Sequence, residues 1–124
     1  MIRIFVALLA VAVAIAPAEA AGCVLDYEAF VIRAALPDDA TTIEEQSAPN
    51  YDWYVSGEQL NVMDHRYGKY GLPRVVTPDE IEFYAFKDSV PLFREAKSGS
   101  GVPDVIYAST DPTACEVQPY ALAR

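Results

Sequence analysis

The sequence predicts a small single α+β domain dominated by antiparallel β-strands, with one or two short helices and a disulfide joining its terminal regions. Three observations lead to this fold class. Prolines divide the chain after residue 20 into short pieces, which excludes long helices and coiled coils. Tyrosine and phenylalanine, which favour strands, number eight and five. Several segments alternate apolar and polar side chains with the period of two expected of a half-buried strand.

The first twenty residues have the features of a secretory signal peptide. Arg3 provides the positive start, Ile4 to Ala16 form an unbroken apolar run, and Ala18-Glu19-Ala20 is the small-x-small pattern that signal peptidase cleaves. The run is shorter than the about 20 apolar residues that a membrane-spanning helix needs. We therefore expect residues 1–20 to be removed and residues 21–124 to fold as one globular domain, periplasmic or secreted.

The two cysteines, Cys23 and Cys115, enclose nearly all of that domain. In an oxidising compartment we expect them to form one intramolecular disulfide, worth at most roughly 4.7 kcal/mol for a loop of about 100 residues. No C-x-x-C motif is present, which favours a structural over a redox role. A minor alternative is a lipoprotein, since Ala20-Ala21-Gly22-Cys23 faintly resembles a lipobox, but lipidation of Cys23 would leave Cys115 without an intramolecular partner.

The clearest predicted element is a β-hairpin over residues 51–63. Aromatic and β-branched residues alternate with polar ones from Tyr51 to Val55 and again from Leu60 to Met63. The intervening Ser56-Gly57-Glu58 is a Gly-containing turn. Together the three segments indicate two antiparallel strands.

Two further strands are predicted near the carboxyl end, over Asp104–Thr110 and Cys115–Leu122. Because proline has no N–H to donate to a ladder, Pro119 would place the second of these strands at a sheet edge. The pattern therefore predicts an exposed last strand.

Two segments are open between helix and strands. Residues 26–36 combine good helix formers with an acceptable apolar alternation. In residues 78–96 a capping box over Thr77–Glu80 predicts a helix, whereas a turn at Asp88-Ser89 between two apolar runs predicts a hairpin. Both alternatives stand for each segment.

No catalytic constellation is visible. His65 is the single histidine, and its neighbour Asp64 would point to the opposite face of a strand, so a Ser–His–Asp site is not indicated. Zinc needs three or four ligands, and both cysteines are expected to be oxidised; calcium and phosphate-loop motifs are absent. We therefore predict no catalytic residue, no metal and no cofactor.

One stretch combines aromatic and basic residues in an otherwise acidic chain of net charge −9. Tyrosine, tryptophan and arginine carry much of the binding energy at interfaces, so this stretch is the best candidate for a binding loop. We expect Arg66, Tyr67, Lys69 and Tyr70 to be exposed; the alternative is that the aromatic residues are core. The candidate binding residues are Trp53, Tyr54, His65, Arg66, Tyr67, Lys69, Tyr70 and Arg74.

The acidic charge excludes a general nucleic-acid binder, because phosphate repels an acidic surface. Charge and compartment favour an exported, non-enzymatic binding or inhibitor-like protein that captures a cationic envelope or extracellular partner, such as a lysozyme-like hydrolase. One alternative is a small secreted hydrolase or accessory enzyme using His65 with a carboxylate. Another is a structural envelope component recruited through an edge strand.

Overall fold

The computed structural model describes residues 23–26, 29–34 and 46–124, so the predicted signal peptide over residues 1–20 lies outside the described residues. Every strand pairing in this part of the chain is antiparallel, as predicted. The strands are β1 Cys23–Asp26, β2 Val31–Ala34, β3 Leu60–Val62, β4 His65–Lys69, β5 Arg74–Val75, β6 Ile81–Lys87, β7 Val90–Glu95, β8 Val105–Asp111 and β9 Glu116–Leu122.

Seven of these strands form one sheet in the order β3-β4-β9-β8-β7-β6, with the short β5 beside β9, and β1 and β2 form a separate hairpin. The described helical structure is less than predicted. It consists of one turn of α-helix, α1 (Asp52–Val55), and 3-10 turns at Ala48–Asn50 and Pro78–Glu80. None of the described helices is long and apolar enough to cross a membrane.

Both faces of the sheet bury apolar side chains. On the first face, Tyr67, Leu92 and Tyr120 are fully buried beneath Trp53 of α1. On the second face, Phe93 and Tyr107 belong to a separate cluster that also contains Leu25 of β1; the remaining buried members are Val76, Ile81 and Val117. Because side chains alternate along a strand, β7, β8 and β9 each contribute to both clusters, and the sheet forms the middle layer of the domain.

The predicted hairpin over residues 51–63 is wrong, although its second arm does form a strand, β3. Residues 52–55 form α1 instead, because Trp53 there reaches the first-face core and donates from Nε1 to Asp88 Oδ2 at 2.8 Å. The actual hairpin joins β3 to β4, with Val62 opposite His65. Its two turn residues, Met63 and Asp64, have φ of 48° and 68°. Positive φ at both central positions is the geometry of a type I′ turn, whose usual Asn-Gly signature is missing from this sequence.

The two segments left open both form strands. Within residues 26–36, the described part forms the end of β1 and the whole of β2. Within residues 78–96, β6 and β7 pair around Asp88-Ser89. The capping box is also present, since the Thr77 N–H donates to Glu80 Oε2 at 2.6 Å, but it encloses only a single 3-10 turn before β6.

The strands predicted near the carboxyl end are present as β8 and β9, but Pro119 lies in a central strand, so the predicted edge position is wrong. The carbonyl oxygen of Pro119 accepts the N–H of Tyr70 at 3.1 Å. The ring nitrogen therefore faces the same side, into the gap between β4 and β5. There Gln118 Nε2 donates to the Tyr70 carbonyl oxygen at 2.9 Å. The Gln118 side chain thus supplies the donor that proline lacks.

The predicted disulfide between Cys23 and Cys115 is confirmed, with the two Cα atoms 4.9 Å apart. It attaches the start of β1 to the turn between β8 and β9. The Cys23 N–H reinforces this attachment by donating to the Pro112 carbonyl oxygen at 2.8 Å. The bond therefore holds the β1–β2 hairpin against the second face of the sheet.

Candidate binding surfaces

Two of the predicted binding residues belong to the core. Tyr67 is fully buried and donates from its hydroxyl to the Pro103 carbonyl oxygen at 2.9 Å. Burial, followed by the influence of the neighbouring Tyr84, raises the pKa of Tyr67 to about 12. Trp53 is also buried. The expectation that Tyr67 is exposed is wrong, because the alternation of β4 directs it into the first-face core.

Lys69 and Tyr54 form a half-buried pair at the edge of the first face. Lys69 Nζ lies 3.5 Å from the centroid of the Tyr54 ring and donates to the carbonyl oxygen of the same residue. Burial lowers the pKa of Lys69, and burial together with the charge of Glu116 raises the pKa of Tyr54. The ammonium group of Lys69 therefore interacts with Tyr54 within the domain, which makes Lys69 a poor contact residue for a partner.

Arg74 lies on β5 opposite Val117 and so belongs to the second face of the sheet. Its guanidinium is 3.5 Å from a carboxylate oxygen of Glu80 and 5.3 Å from the centroid of the Tyr107 ring. Arg66, on β4, is exposed. The basic residues of the predicted loop therefore do not converge on one surface.

The segment that follows β4 and includes β5 presents apolar side chains instead. Tyr70, Leu72 and Val75 are 49%, 83% and 64% exposed. We call residues 70–75 the apolar loop. Sequence reasoning selected Tyr70 and Arg74 but not Leu72, although an apolar residue between Gly71 and Pro73 in a turn is an available signal.

A buried glutamine holds the base of the apolar loop. Gln118 is 2% exposed, and its Nε2 reaches the carbonyl oxygens of Tyr70 at 2.9 Å and of Gly71 at 3.2 Å. Its Oε1 accepts the Tyr54 hydroxyl at 3.2 Å. Gly71 has φ of 71°, which a residue without Cβ adopts at little cost. The loop is thus anchored at its start while its apolar side chains remain exposed.

His65 lies apart from these residues, in a shallow cleft of about 230 Å³ on the first face. The residues lining this cleft are Met63, His65, Tyr84, Arg94, Ser100, Gly101 and Val102. The lining contains no aspartate or glutamate, so it gives His65 no carboxylate partner of the kind that the hydrolase alternative requires. Arg94 was not among the binding residues predicted from the sequence. The signal available for it was a charged residue within an otherwise apolar segment.

Over residues 23–26, 29–34 and 46–124, no three His, Cys, Asp or Glu side chains are grouped so that they could hold a metal ion. Comparison of the chain with protein-family models, with curated proteins and with solved structures finds no match.

Proposed function

We propose that this protein is an exported, non-enzymatic binding or inhibitor-like protein that captures a cationic protein partner through the apolar loop, residues 70–75. The observation that carries the proposal is the exposure of Leu72, at 83%, on a segment anchored by a buried side chain. Exposed apolar side chains concentrated on one segment are typical of protein interaction sites. The proposal keeps the binding hypothesis drawn from the sequence but assigns the main contact to apolar rather than basic residues.

Anchoring matters because binding has to overcome the entropy of ordering a loop. The Tyr70 N–H, the Tyr70 carbonyl oxygen and the Gly71 carbonyl oxygen are each bonded to Gln118 or Pro119. These bonds order the start of the loop before any partner arrives. Less binding energy is then spent on ordering it, and Leu72 and Val75 can act as anchors for a pocket on the partner.

Charge supports a cationic partner. The chain carries a net charge of −9, and two of the basic residues near the loop, Lys69 and Arg74, interact within the domain. An acidic protein attracts a basic one over long range, which raises the association rate and makes it fall with salt. The apolar loop then supplies the short-range contact.

The proposal is tested by a crosslinking pull-down from the native envelope with oxidised protein of residues 21–124 as bait. The Leu72→Ser bait is compared with a Val55→Ser bait, because Val55 is 72% exposed on α1, outside the loop. Both changes are expected to alter the free energy of unfolding by less than about 0.5 kcal/mol. Any captured protein is then purified, and its affinity for each bait is measured by calorimetry at two salt concentrations.

We expect a basic protein whose affinity falls about tenfold or more with Leu72→Ser, is unchanged with Val55→Ser and decreases with salt. Equal losses in the two variants would show that the apolar loop is not the contact. A partner that is acidic, or whose binding is insensitive to salt, would contradict the charge argument.

A further inference from the structure

Arg94 is a charged side chain that the fold buries, and the described part of the chain gives it no ion pair. It lies on β7, is 7% exposed, and donates from Nε to Ser98 Oγ at 3.1 Å. Within the described residues, no carboxylate oxygen lies within 4 Å of its guanidinium. Removing a charge from water is costly unless hydrogen bonds or an opposite charge compensate, so buried arginines are normally paired.

The two Nη atoms of Arg94 are the part of its side chain that remains available to a ligand. In the described part of the chain, the Tyr120 hydroxyl is the one fully enclosed side-chain polar atom without a partner. The Nη atoms, which make no hydrogen bond to the described residues, are therefore not fully enclosed, and Arg94 lines two depressions of about 350 and 230 Å³. Since Nε is already bonded to Ser98, the Nη pair is the donor set that remains for a ligand.

The two depressions differ in charge. The larger one also contains Glu95 and Asp104, and Asp104 is paired with Arg124 at 2.7 Å. Carboxylates on its rim disfavour a second anion there. The smaller one, the cleft of His65, contains no carboxylate. Glu82 lies opposite Arg94 in the β6–β7 ladder, and its Oε1 accepts the Lys97 N–H at 3.3 Å.

The cleft of His65 combines polar groups with apolar walls. The guanidinium carbon of Arg94 is 5.6 Å from the centroid of the Tyr84 ring, an arrangement that orients the planar guanidinium group. His65 and Ser100 add polar side chains, and Met63 and Val102 add apolar surface. At about 230 Å³ the cleft is smaller than the 300–1,000 Å³ typical of sites for drug-sized ligands.

We propose that this cleft binds a small organic carboxylate, with the two Nη groups of Arg94 donating to its two oxygens. Paired N–H donors match the planar geometry of a carboxylate and form strong charge-assisted bonds. The apolar chain of the ligand would contact Met63 and Val102. This site is on the first face and does not depend on the apolar loop or its partner.

The test is a titration of the oxidised protein of residues 21–124 with sodium butyrate, followed by two-dimensional NMR of the backbone amides and the His65 ring. Butyramide is the matched neutral probe, inorganic phosphate is the matched non-planar anion, and sodium chloride keeps the ionic strength constant. We expect saturable shifts at residues 98–102 and His65 with butyrate. Butyramide has no charge to pair with Arg94, and phosphate has no apolar chain to contact Met63 and Val102, so both should bind about tenfold more weakly or undetectably.

The variant pair is Arg94→Gln with Arg33→Gln as control, because Arg33 is an exposed arginine on β2, away from the cleft. Butyrate affinity is expected to fall about tenfold or more in Arg94→Gln and to stay within about twofold in Arg33→Gln. If Arg94→Gln does not fold, the comparison of butyrate with butyramide on the unaltered protein still tests whether the cleft selects a carboxylate. Equal shifts with these two probes, no saturation by butyrate, or preferential binding of phosphate would each overturn the proposal.

Discussion

Replacing Gln118 by leucine tests whether one buried amide both supplies the donor that Pro119 lacks and anchors the apolar loop. Leucine is close to glutamine in size but has no polar atom. The change therefore removes the hydrogen bonds of Gln118 while leaving most of its packing on the first face in place. The variant leaves the carbonyl oxygens of Tyr70 and Gly71 and the Tyr54 hydroxyl without their present partner, whereas the Pro119 carbonyl oxygen keeps the Tyr70 N–H.

The expected magnitude follows from the contacts of Gln118. Its Nε2 reaches three carbonyl oxygens at 2.9, 3.2 and 3.0 Å, and its Oε1 accepts the Tyr54 hydroxyl at 3.2 Å. An amide group has two hydrogens, so the donor contacts count as two bonds, and Tyr54 adds a third. At about 1 kcal/mol each, Gln118→Leu should lower the free energy of unfolding by about 3 kcal/mol. Tyr54→Phe should lower it by about 1 kcal/mol.

The assay is equilibrium urea unfolding of the oxidised protein, monitored by circular dichroism and by Trp53 fluorescence. For a domain of about 100 residues, a loss of 3 kcal/mol corresponds to a fall in Tm of roughly 12–24 °C. Gln59→Leu is the control, since Gln59 is exposed and a change there should cost less than about 0.5 kcal/mol. If Gln118→Leu costs no more than Gln59→Leu, the role assigned to Gln118 is wrong.

The remaining predictions concern the disulfide and alkaline pH. A Cys23→Ser, Cys115→Ser double variant should unfold at lower urea concentration, with a loss of about 2–5 kcal/mol, and reductant should have the same effect on the unaltered protein but none on the variant. The pKa of Tyr67 is raised to about 12 in the fold and is about 10 in the unfolded chain. Its neutral hydroxyl therefore contributes roughly 2–3 kcal/mol to the free energy of unfolding below pH 10, and this contribution is lost as the pH rises towards 12. Burial also raises the pKa of Tyr120, so Tyr120 likewise lowers the free energy of unfolding as the pH rises. Burial lowers the pKa of Lys69, so Lys69 has the opposite effect. Urea unfolding between pH 9 and 12 measures the sum, and stability that rose with pH would contradict the assignment of Tyr67 to the core.

The local sequence patterns gave correct predictions in segments that form regular pleated strands. β8 and β9 are predominantly buried runs, and both strands cross the sheet between two buried layers. The turn at Asp88-Ser89 lies between two such runs, and it forms the β6–β7 hairpin. In these segments the local preference and the tertiary packing agree, so the secondary structure can be predicted from the sequence.

Residues 51–63 show where local pattern was insufficient. The alternation from Tyr51 to Val55 fits a strand, but a single helical turn brings Trp53 into the first-face core and to Asp88, 35 residues away. That contact exists only once β6 and β7 have formed. The turn at Met63-Asp64 likewise lacks a sequence signature, because the ladder between β3 and β4 imposes its positive φ values.

The candidate sites depended even more on tertiary structure. A cluster of aromatic and basic residues was visible in the chain, yet Tyr67 entered the core while Leu72, which composition did not single out, became the most exposed large apolar side chain of the three on its loop. Arg94 became a candidate because the strands around it bury it and bring no carboxylate to its guanidinium among the described residues. Neither burial nor the absence of a partner can be read from neighbours in sequence.

By itself, the sequence determined that the domain is small, antiparallel and closed by a bond between Cys23 and Cys115, because proline spacing, alternation and two cysteines constrain the chain locally and leave few other solutions. Tertiary structure alone decided which strand is central, which tyrosines are buried and which surfaces are open to a ligand. The physical reason is that these outcomes depend on contacts between residues far apart in the chain, such as Gln118 with Tyr70 and Tyr67 with Pro103. Their energies arise only when the sheet has formed.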